Sequence, residues 1–386
     1  MTEATIKTPK GKTSWHRWLL RLGAVVLFLV VLLFAGVVMA NLTLNAETSE
    51  IQSDTQLSAQ YRDGKFHNDK PAMQGAGLGE MLKIAKDYFT GDYPRREPVD
   101  PIPVQPLFKE ALASLSPDQT MIYRLGHSTL LLHINGEFWL TDPVFSDRAS
   151  PFQFMGPKRF HPVPINPSDL PNIKGVILSH NHYDHLDKGT IKQLLPKVEQ
   201  YFVPLGVGGD LKKWGVEEDQ ITEMDWWQTT QVAGVELVCT PSQHFSGRGL
   251  GDRDSTLWCS WVIQSEQHKV FFSGDSGYFD GFKKIGDQYG PFDLTFVETG
   301  AYNENWLGVH MMPEQSVQAH LDLKGKVMVP IHNGTFNLSF HTWDDPFEQV
   351  TRIANEQGAQ VLTPEMGQPM DLAALPTSKP WWRGLK

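Results

Sequence analysis

Residues 175–185 read GVILSHNHYDH: an apolar run from Gly175 to Ser179 passes directly into His180, Asn181, His182, Tyr183, Asp184 and His185. Four potential metal ligands fall within those last six positions. Two residues apart at the end of an extended strand, His180 and His182 project to the same side and can share one cation. Asp184 and His185 fall in the following turn and can reach a second. The competing reading is a histidine-rich surface loop. Three imidazoles and a carboxylate placed straight after a buried-type strand are instead the donor set that zinc-like divalent ions select.

A pair of ions needs further ligands, best placed at other strand ends where the backbone is rigid. His244 follows the run VELVCT, Asp275 ends KVFFSGD, and His332 ends KVMVPIH. A central carboxylate can bridge two cations and hold them roughly 3.5 to 4 Å apart, the separation used by two-metal hydrolases. Asp275 is the candidate bridge. Asp142, at the end of FWLTD, is a candidate to hold the outer ring nitrogen of a ligating histidine, with a turn cap before Pro143 as the other reading. His127 in GHSTLLL and His310 before MMPEQSVQAH are candidates for orienting substrate or protonating a leaving oxygen, because a departing alkoxide needs an acid that works near neutral pH. His320 is read as a packed helical histidine. The stretch FQFMGPKRFH, Phe152 to His161, mixes rings with cations; Phe154, Lys158 and Arg159 are candidate substrate contacts at the level of lipid headgroups, a loop packed on the core being the alternative. Gly206, Gly208 and Gly209 read as a turn that starts a helix rather than as a phosphate loop.

HNHYDH resembles the HxHxDH signature of the metallo-β-lactamase fold, with His244, Asp275 and His332 at its later ligand positions. The segments TDPVFSDRASPFQFMGPKRF, LSHNHYDHLD, YFVPLGV, DWWQ, TPSQHFSGR, GPFDL and GAYNENW are similar to the N-acyl-phosphatidylethanolamine-hydrolysing phospholipase D family, from about Tyr61 to the region of Gly367. The resemblance implies an α/β (α+β) fold, the αββα four-layer sandwich of two mixed sheets with helices outside, and a dinuclear zinc site at one edge. It assigns His180, His182 and His244 to one zinc, Asp184, His185 and His332 to the other, and Asp275 to both; Asp184, Asp275, His310 and His127 are the catalytic set, and a homodimer is the implied assembly. Two zinc ions sharing one water lower its pKa toward neutrality, so a bridging hydroxide serves as nucleophile without any Ser or Cys, and other divalent metals can fill the same role. The expected reaction is hydrolysis of N-acyl-phosphatidylethanolamine or a related glycerophospholipid to phosphatidic acid and an N-acylethanolamine. Two alternatives stay open: a metal-dependent lactonase or other acyl hydrolase on the same fold, and a non-catalytic metal-binding protein at the membrane.

The remainder of the chain frames this centre. Short apolar runs recur from Met121 onward: MIYRL, TLLLHI, FWLTD, GVILS, YFVPL, VELVC, WCSWVIQ, KVFFSGD, LTFVETG and KVMVPIH. Helical candidates at Thr190–Glu199, Pro313–Leu323 and Pro346–Gln357 fall between groups of strands, which predicts mixed sheets rather than regular βα alternation. The expected organisation is a basic cytoplasmic N-terminus over 1–21, a transmembrane anchor over 22–40, a linker and Pro-rich strap over 41–118, the hydrolase domain over 119–372, and a tail over 373–386. The anchor reading rests on Leu22 to Ala40, nineteen residues without a charge behind five basic ones, and places the catalytic domain outside the cytoplasm. Cleavage before Asn41, which would make the protein secreted, is the alternative. A short helix is expected at Glu80–Phe89. The net charge of -10 hides that basic start, and an acidic body argues against nucleic acid as a partner while the phospholipid and its membrane remain. Cys239 and Cys259 are too few for a disulfide framework and are read as either one pair or two buried thiols.

Overall fold

Side-chain alternation along the apolar runs decides where each strand sits. The computed structural model describes residues 58–71 and 93–386 apart from 250, with the isolated positions 21, 22, 28, 86 and 91. The chain divides into Met1–Glu47 and Thr48–Lys386, and every strand and helix named below lies in the second unit. A small hairpin, β1 (Tyr61–Arg62) and β2 (Lys65–Phe66), comes first. One seven-stranded sheet is then built from β3 (Met121–Gly126), β4 (Thr129–Ile134), β5 (Glu137–Thr141), β6 (Ile173–Ile177), β7 (Val198–Pro204) and β8 (Ile221–Met224), with β16 (Pro369–Asp371) outside β3. The second, also of seven strands, runs β9 (Thr229–Val232), β10 (Val235–Thr240), β11 (Ser260–Gln264), β12 (Lys269–Phe272), β13 (Phe292–Glu298), β14 (Gly325–Ile331) and β15 (Gln360–Val361). In each sheet antiparallel pairs give way to three parallel pairs, β5 to β8 and β12 to β15.

Alternate residues of both sheets meet face to face. Leu130, Leu132, Trp139, Ile177 and Phe202 from one pack against Leu237, Trp261, Ile263, Phe272, Phe296 and Val329 from the other. The opposite set, Leu131, Leu140, Val176 and Tyr201, buries under Ile191 and Leu194 of the helix Lys188–Leu194 and Leu211 of Gly208–Lys213. On the far side Val262, Phe271, Val297 and Met328 pack beneath the helices Gly281–Tyr289, Pro313–Asp322 and Asp345–Gln357. Helix, sheet, sheet, helix is therefore the layer order, and strands covered on both faces read as continuous apolar runs. Gly175 illustrates the tightness: a Cβ there would lie 2.6 Å from the Trp139 ring and 2.8 Å from Phe202, so the strand leading to the histidine cluster passes only with glycine.

Each apolar run named above contributes a strand, and the helical candidates at Pro313–Leu323 and Pro346–Gln357 appear with ends shifted by one residue, whereas that at Thr190–Glu199 is a helix over Lys188–Leu194 whose predicted last residues, Val198 and Glu199, open β7. The reading of a single-pass membrane protein is corrected. Among the described residues no helix is long and apolar enough to cross a membrane; the longest described one, Asp345–Gln357, has 13 residues, about 20 Å against a hydrocarbon core of about 30 Å. Of the 22–40 segment only Leu22 and Phe28 are described, and of the helix expected at Glu80–Phe89 only Lys86; the rest lie outside the described residues. Cys239 and Cys259 are both free and buried. The Trp381-Trp382 tail is part of the packing: Trp382 stacks on Phe347 at 5.1 Å and donates to Glu348 at 2.6 Å.

Candidate metal centre

Leaving β6, the chain turns across the edge of the sandwich and places its histidines against loops from the second sheet. His180 Nε2 lies 2.8 Å from His182 Nδ1, which is 3.3 Å from His244 Nε2. Asp275 Oδ2 stands 3.8 Å from His180 Nε2 and 3.7 Å from His244 Nε2. A second group surrounds Asp184, whose Oδ2 is 3.1 Å from His127 Nε2, 3.2 Å from His332 Nε2 and 3.5 Å from His185 Nε2. Asp275 reaches this group too, at 3.1 Å from His185 Nε2 and 3.1 Å from His332 Nε2. Within each group the donor atoms all lie within 4.8 Å of one another. His127, Asp142 and His332 all have left-handed backbones, with φ of 51°, 35° and 63°, a conformation side-chain-bearing residues adopt at a cost where function demands it.

The outer faces of these rings are held by acceptors. His185 Nδ1 donates to Asp142 Oδ2 at 2.7 Å, while Asp142 Oδ1 accepts the Ser179 amide at 2.7 Å. His244 Nδ1 donates to the Val309 carbonyl at 2.9 Å, which leaves its Nε2 lone pair facing the cluster. Burial, reinforced by neighbouring imidazoles, pushes His180 and His244 well below the ordinary histidine range; burial brings His182 down to about 4 and His127 to about 3. His185 and His332 of the second group behave oppositely to its His127. Burial works to lower His185 and His332, yet the carboxylates of Asp275 and Asp184 outweigh it, raising His185 well above its usual range and His332 to about 10. Those carboxylates are in turn held low by the same histidines, against the effect of burial.

These features fit a pair of divalent cations. Neutral imidazole nitrogens 2.8 and 3.3 Å apart converge as they would around a tetrahedral ion, where ligands at about 2.0–2.1 Å stand roughly 3.3 Å from one another. His185 Nε2 and Asp275 Oδ1 face each other at 3.1 Å, buried and without hydrogen-bond geometry, and the carboxylates of Asp275 and Asp184 favour positive charge at His185.

Residues 139–333 match the beta-lactamase superfamily domain. An uncharacterised protein of Mycobacterium tuberculosis is 41% identical over 345 residues, covering 88% of this chain and 91% of that one. The N-acyl-phosphatidylethanolamine-hydrolyzing phospholipase D 1 of Caenorhabditis elegans is 32% identical over 315 residues, 76% of this chain and 88% of its own. The chain belongs to the metallo-β-lactamase superfamily, in the family of these phospholipases D. It is a metal-dependent hydrolase by fold. Among solved structures a metallo hydrolase from the archaeon Ignicoccus hospitalis superposes with a TM-score of 0.51 at 19% identity, over 66% of this chain and 98% of that one.

In this metallo-β-lactamase fold the seven sequence-read ligand candidates come together from four separate loops. His127 joins them directly, as a member of the Asp184 group. His310 forms a third grouping with Asp275 and His332, its ring 5.2 Å from that of His244 and 5.4 Å from that of His332. His320 is buried on its helix and bonds Thr295. Phe154, Lys158 and Arg159 lie apart from the cluster's own contacts. Phe154 is 78% exposed at a hairpin tip, whereas Arg159 is buried, bonds the Val144 and Ser146 carbonyls and covers Phe336 at 4.9 Å.

Two residues were not found by sequence reasoning. Glu298 ends β13 and pairs through Oε1 with His310 Nδ1; its position at a strand end beside Asp275's strand was the available signal. Asn68, within a stretch lacking any apolar period, brackets His244 by donating to its carbonyl at 2.8 Å and accepting from its amide at 3.1 Å, held there by Phe66, which is buried in the inter-sheet core.

Proposed function

We propose that the protein is a dinuclear zinc phosphodiesterase that cleaves N-acyl-phosphatidylethanolamine, or a related glycerophospholipid, on the headgroup side to give phosphatidic acid and an N-acylethanolamine. The observation that carries this reading is Asp275 facing both donor groups at once, with His310 beside them; the Caenorhabditis elegans relative supplies the substrate class. His180, His182, His244 and Asp275 would hold one ion, and Asp184, His185, His332 and Asp275 the other. When bound, two such ions supply positive charge for a phosphodiester and a water acidic enough to react at neutral pH.

The chain's own residues do the rest. The Glu298 carboxylate fixes Nδ1 of His310 and, against burial, raises its pKa, which favours the protonated ring. Its Nε2 is then free to deliver that proton to the departing alkoxide. His127 donates Nε2–H to Asp184, and Asp142 accepts from His185, so both stop a ligand from rotating. Phe160, Phe336 and Trp343 wall the cavity beside His332, with Arg96 and Asn337 among its polar lining. The loop 148–158 next to it exposes Phe154 and Met155 at its tip, suited to lipid chains, and Lys158 at its base opposite Arg148, suited to phosphate, while the buried Arg159 anchors it.

The test is zinc-loaded protein incubated with N-acyl-phosphatidylethanolamine in ¹⁸O water. Phosphatidic acid carrying one solvent oxygen, with little phosphatidylethanol when ethanol is added, is the expected result. Turnover of lactones without phospholipid cleavage, or products cut on the glycerol side, would overturn the reading.

A further inference from the structure

Two arginines lie buried beside the centre, and neither takes part in an ion pair among the described residues. Arg248 is 5% exposed and Arg124 fully buried. Buried cations are ordinarily paired with carboxylates. Here each donates from one guanidinium nitrogen to the turns that carry the candidate ligands, while Arg124 Nε and NH1 and Arg248 Nε are buried without a hydrogen-bond partner. Arg248 NH1 donates to the Asn181 carbonyl at 2.7 Å and to the Leu186 carbonyl at 2.7 Å. Those carbonyls bracket His182, Asp184 and His185, with His180 immediately before. The guanidinium lies 4.0 Å from the centre of the Tyr183 ring and 5.0 Å from that of Trp214, and Tyr183 Oη donates back to the Arg248 carbonyl at 2.9 Å. Because the Gly247 amide also donates to Asn181 Oδ1 at 2.9 Å, the loop carrying His244 is joined to the same clamp.

Arg124 acts on the other turn. Its NH2 donates to the Asn333 carbonyl at 2.6 Å and to Asn333 Oδ1 at 2.8 Å, while Asn333 Nδ2 donates to the carbonyls of Ile331 and Thr299. His332 is thus held from the residue after it, in a left-handed conformation that an unsupported histidine would leave. Burial alone lowers Arg124 to about 9, so it stays charged at neutral pH.

We propose that Arg248 and Arg124 are positioning residues which hold the ligand turns by their backbone carbonyls, Arg248 serving both metal positions and Arg124 only the position that includes His332. The proposal rests on the dinuclear reading above. A guanidinium suits this duty because it is planar: one nitrogen can serve two carbonyls while the flat face packs on an aromatic ring, which an ammonium cannot reproduce.

Full-length apoprotein of the wild type, Arg124→Lys and Arg248→Lys is titrated with zinc against a chromophoric chelator, and folding is checked by near-ultraviolet circular dichroism. Arg124→Lys is expected to keep the first ion as tightly as wild type and to bind the second roughly 10- to 100-fold more weakly, the range for lost orienting contacts; Arg248→Lys weakens both. Arg124→Gln and Arg248→Gln replace either variant that does not fold. The ratio of the two affinities is a readout that a merely structural arginine does not move. Unchanged affinities in folded variants, or equal weakening of both ions by Arg124→Lys, would overturn the proposal. If wild type takes up a single ion, the dinuclear reading falls, and the clamp then stands or falls on whether Arg248→Lys weakens that ion.

Discussion

The strands β3 to β8 and β10 to β15 repeat one pattern, two antiparallel pairs followed by three parallel pairs, each half with one more antiparallel strand at its edge. Corresponding strand ends carry corresponding chemistry. His127 follows β3 and His244 follows β10; Asp142 follows β5 and Asp275 follows β12; the histidine run follows β6 and Glu298 ends β13. Yet the two aspartates have different surroundings. Asp142 accepts from Ser179 and from the outer nitrogen of His185, and burial raises its pKa. Asp275 sits on the inner side of the same histidine, where His185 and His332 outweigh burial and hold its carboxyl well below the usual range. Equivalent places in a topology therefore do not fix a role. Which side of a shared imidazole the carboxylate meets decides it.

That contrast is broken most severely at Asp275. Asp275→Asn is expected to remove both bound ions and lower kcat/KM by about 10³-fold or more, since the one residue faces both groups; inductively coupled plasma analysis beside steady-state kinetics checks it. A variant that keeps two tight ions would mean the carboxylate does not bridge. Single ligands should separate the two groups. His244→Ala is expected to lose one ion and His332→Ala the other, each with roughly 10²- to 10³-fold loss of activity, and spectra of the cobalt-substituted variants should differ accordingly. Asp142→Asn should be milder, about 10- to 100-fold in metal affinity with the ions still bound at saturation, because only the outer hydrogen bond of His185 changes. The smallest effect is expected on the outer surface of the second half: Lys326→Ala removes an exposed pair with Asp293 and should shift unfolding free energy by no more than about 0.5 kcal/mol, with turnover unaltered.

Legibility in the sequence follows the same division between the halves. In the first half four donors stand in consecutive turns of one loop, so HNHYDH announces itself without any knowledge of the fold. In the second half His244, Asp275 and His332 are single residues spread over 89 positions, each unremarkable until read against the first cluster and the family pattern. Glu298 escaped because nothing local distinguishes it from any acidic strand terminus. The hairpin residues Phe66 and Asn68 escaped because two strands of two residues each carry no period to detect. The nineteen-residue apolar segment is a strong local signal of another kind, and apart from Leu22 and Phe28 it lies outside the described residues, among which no helix is long and apolar enough to cross a membrane.

What the sequence determined by itself was local: the apolar runs that become strands and the contiguous donors of residues 180–185. What the tertiary structure alone decided was convergence: His127 joining the Asp184 group, Glu298 meeting His310, Asn68 bracketing His244, and Arg248 and Arg124 tying their turns. The physical reason is range. Strand formation and the spacing of neighbouring ligands depend on a few successive residues, whereas burial and the meeting of charges from distant strands are set only when two sheets close on a common core and remove the water between them.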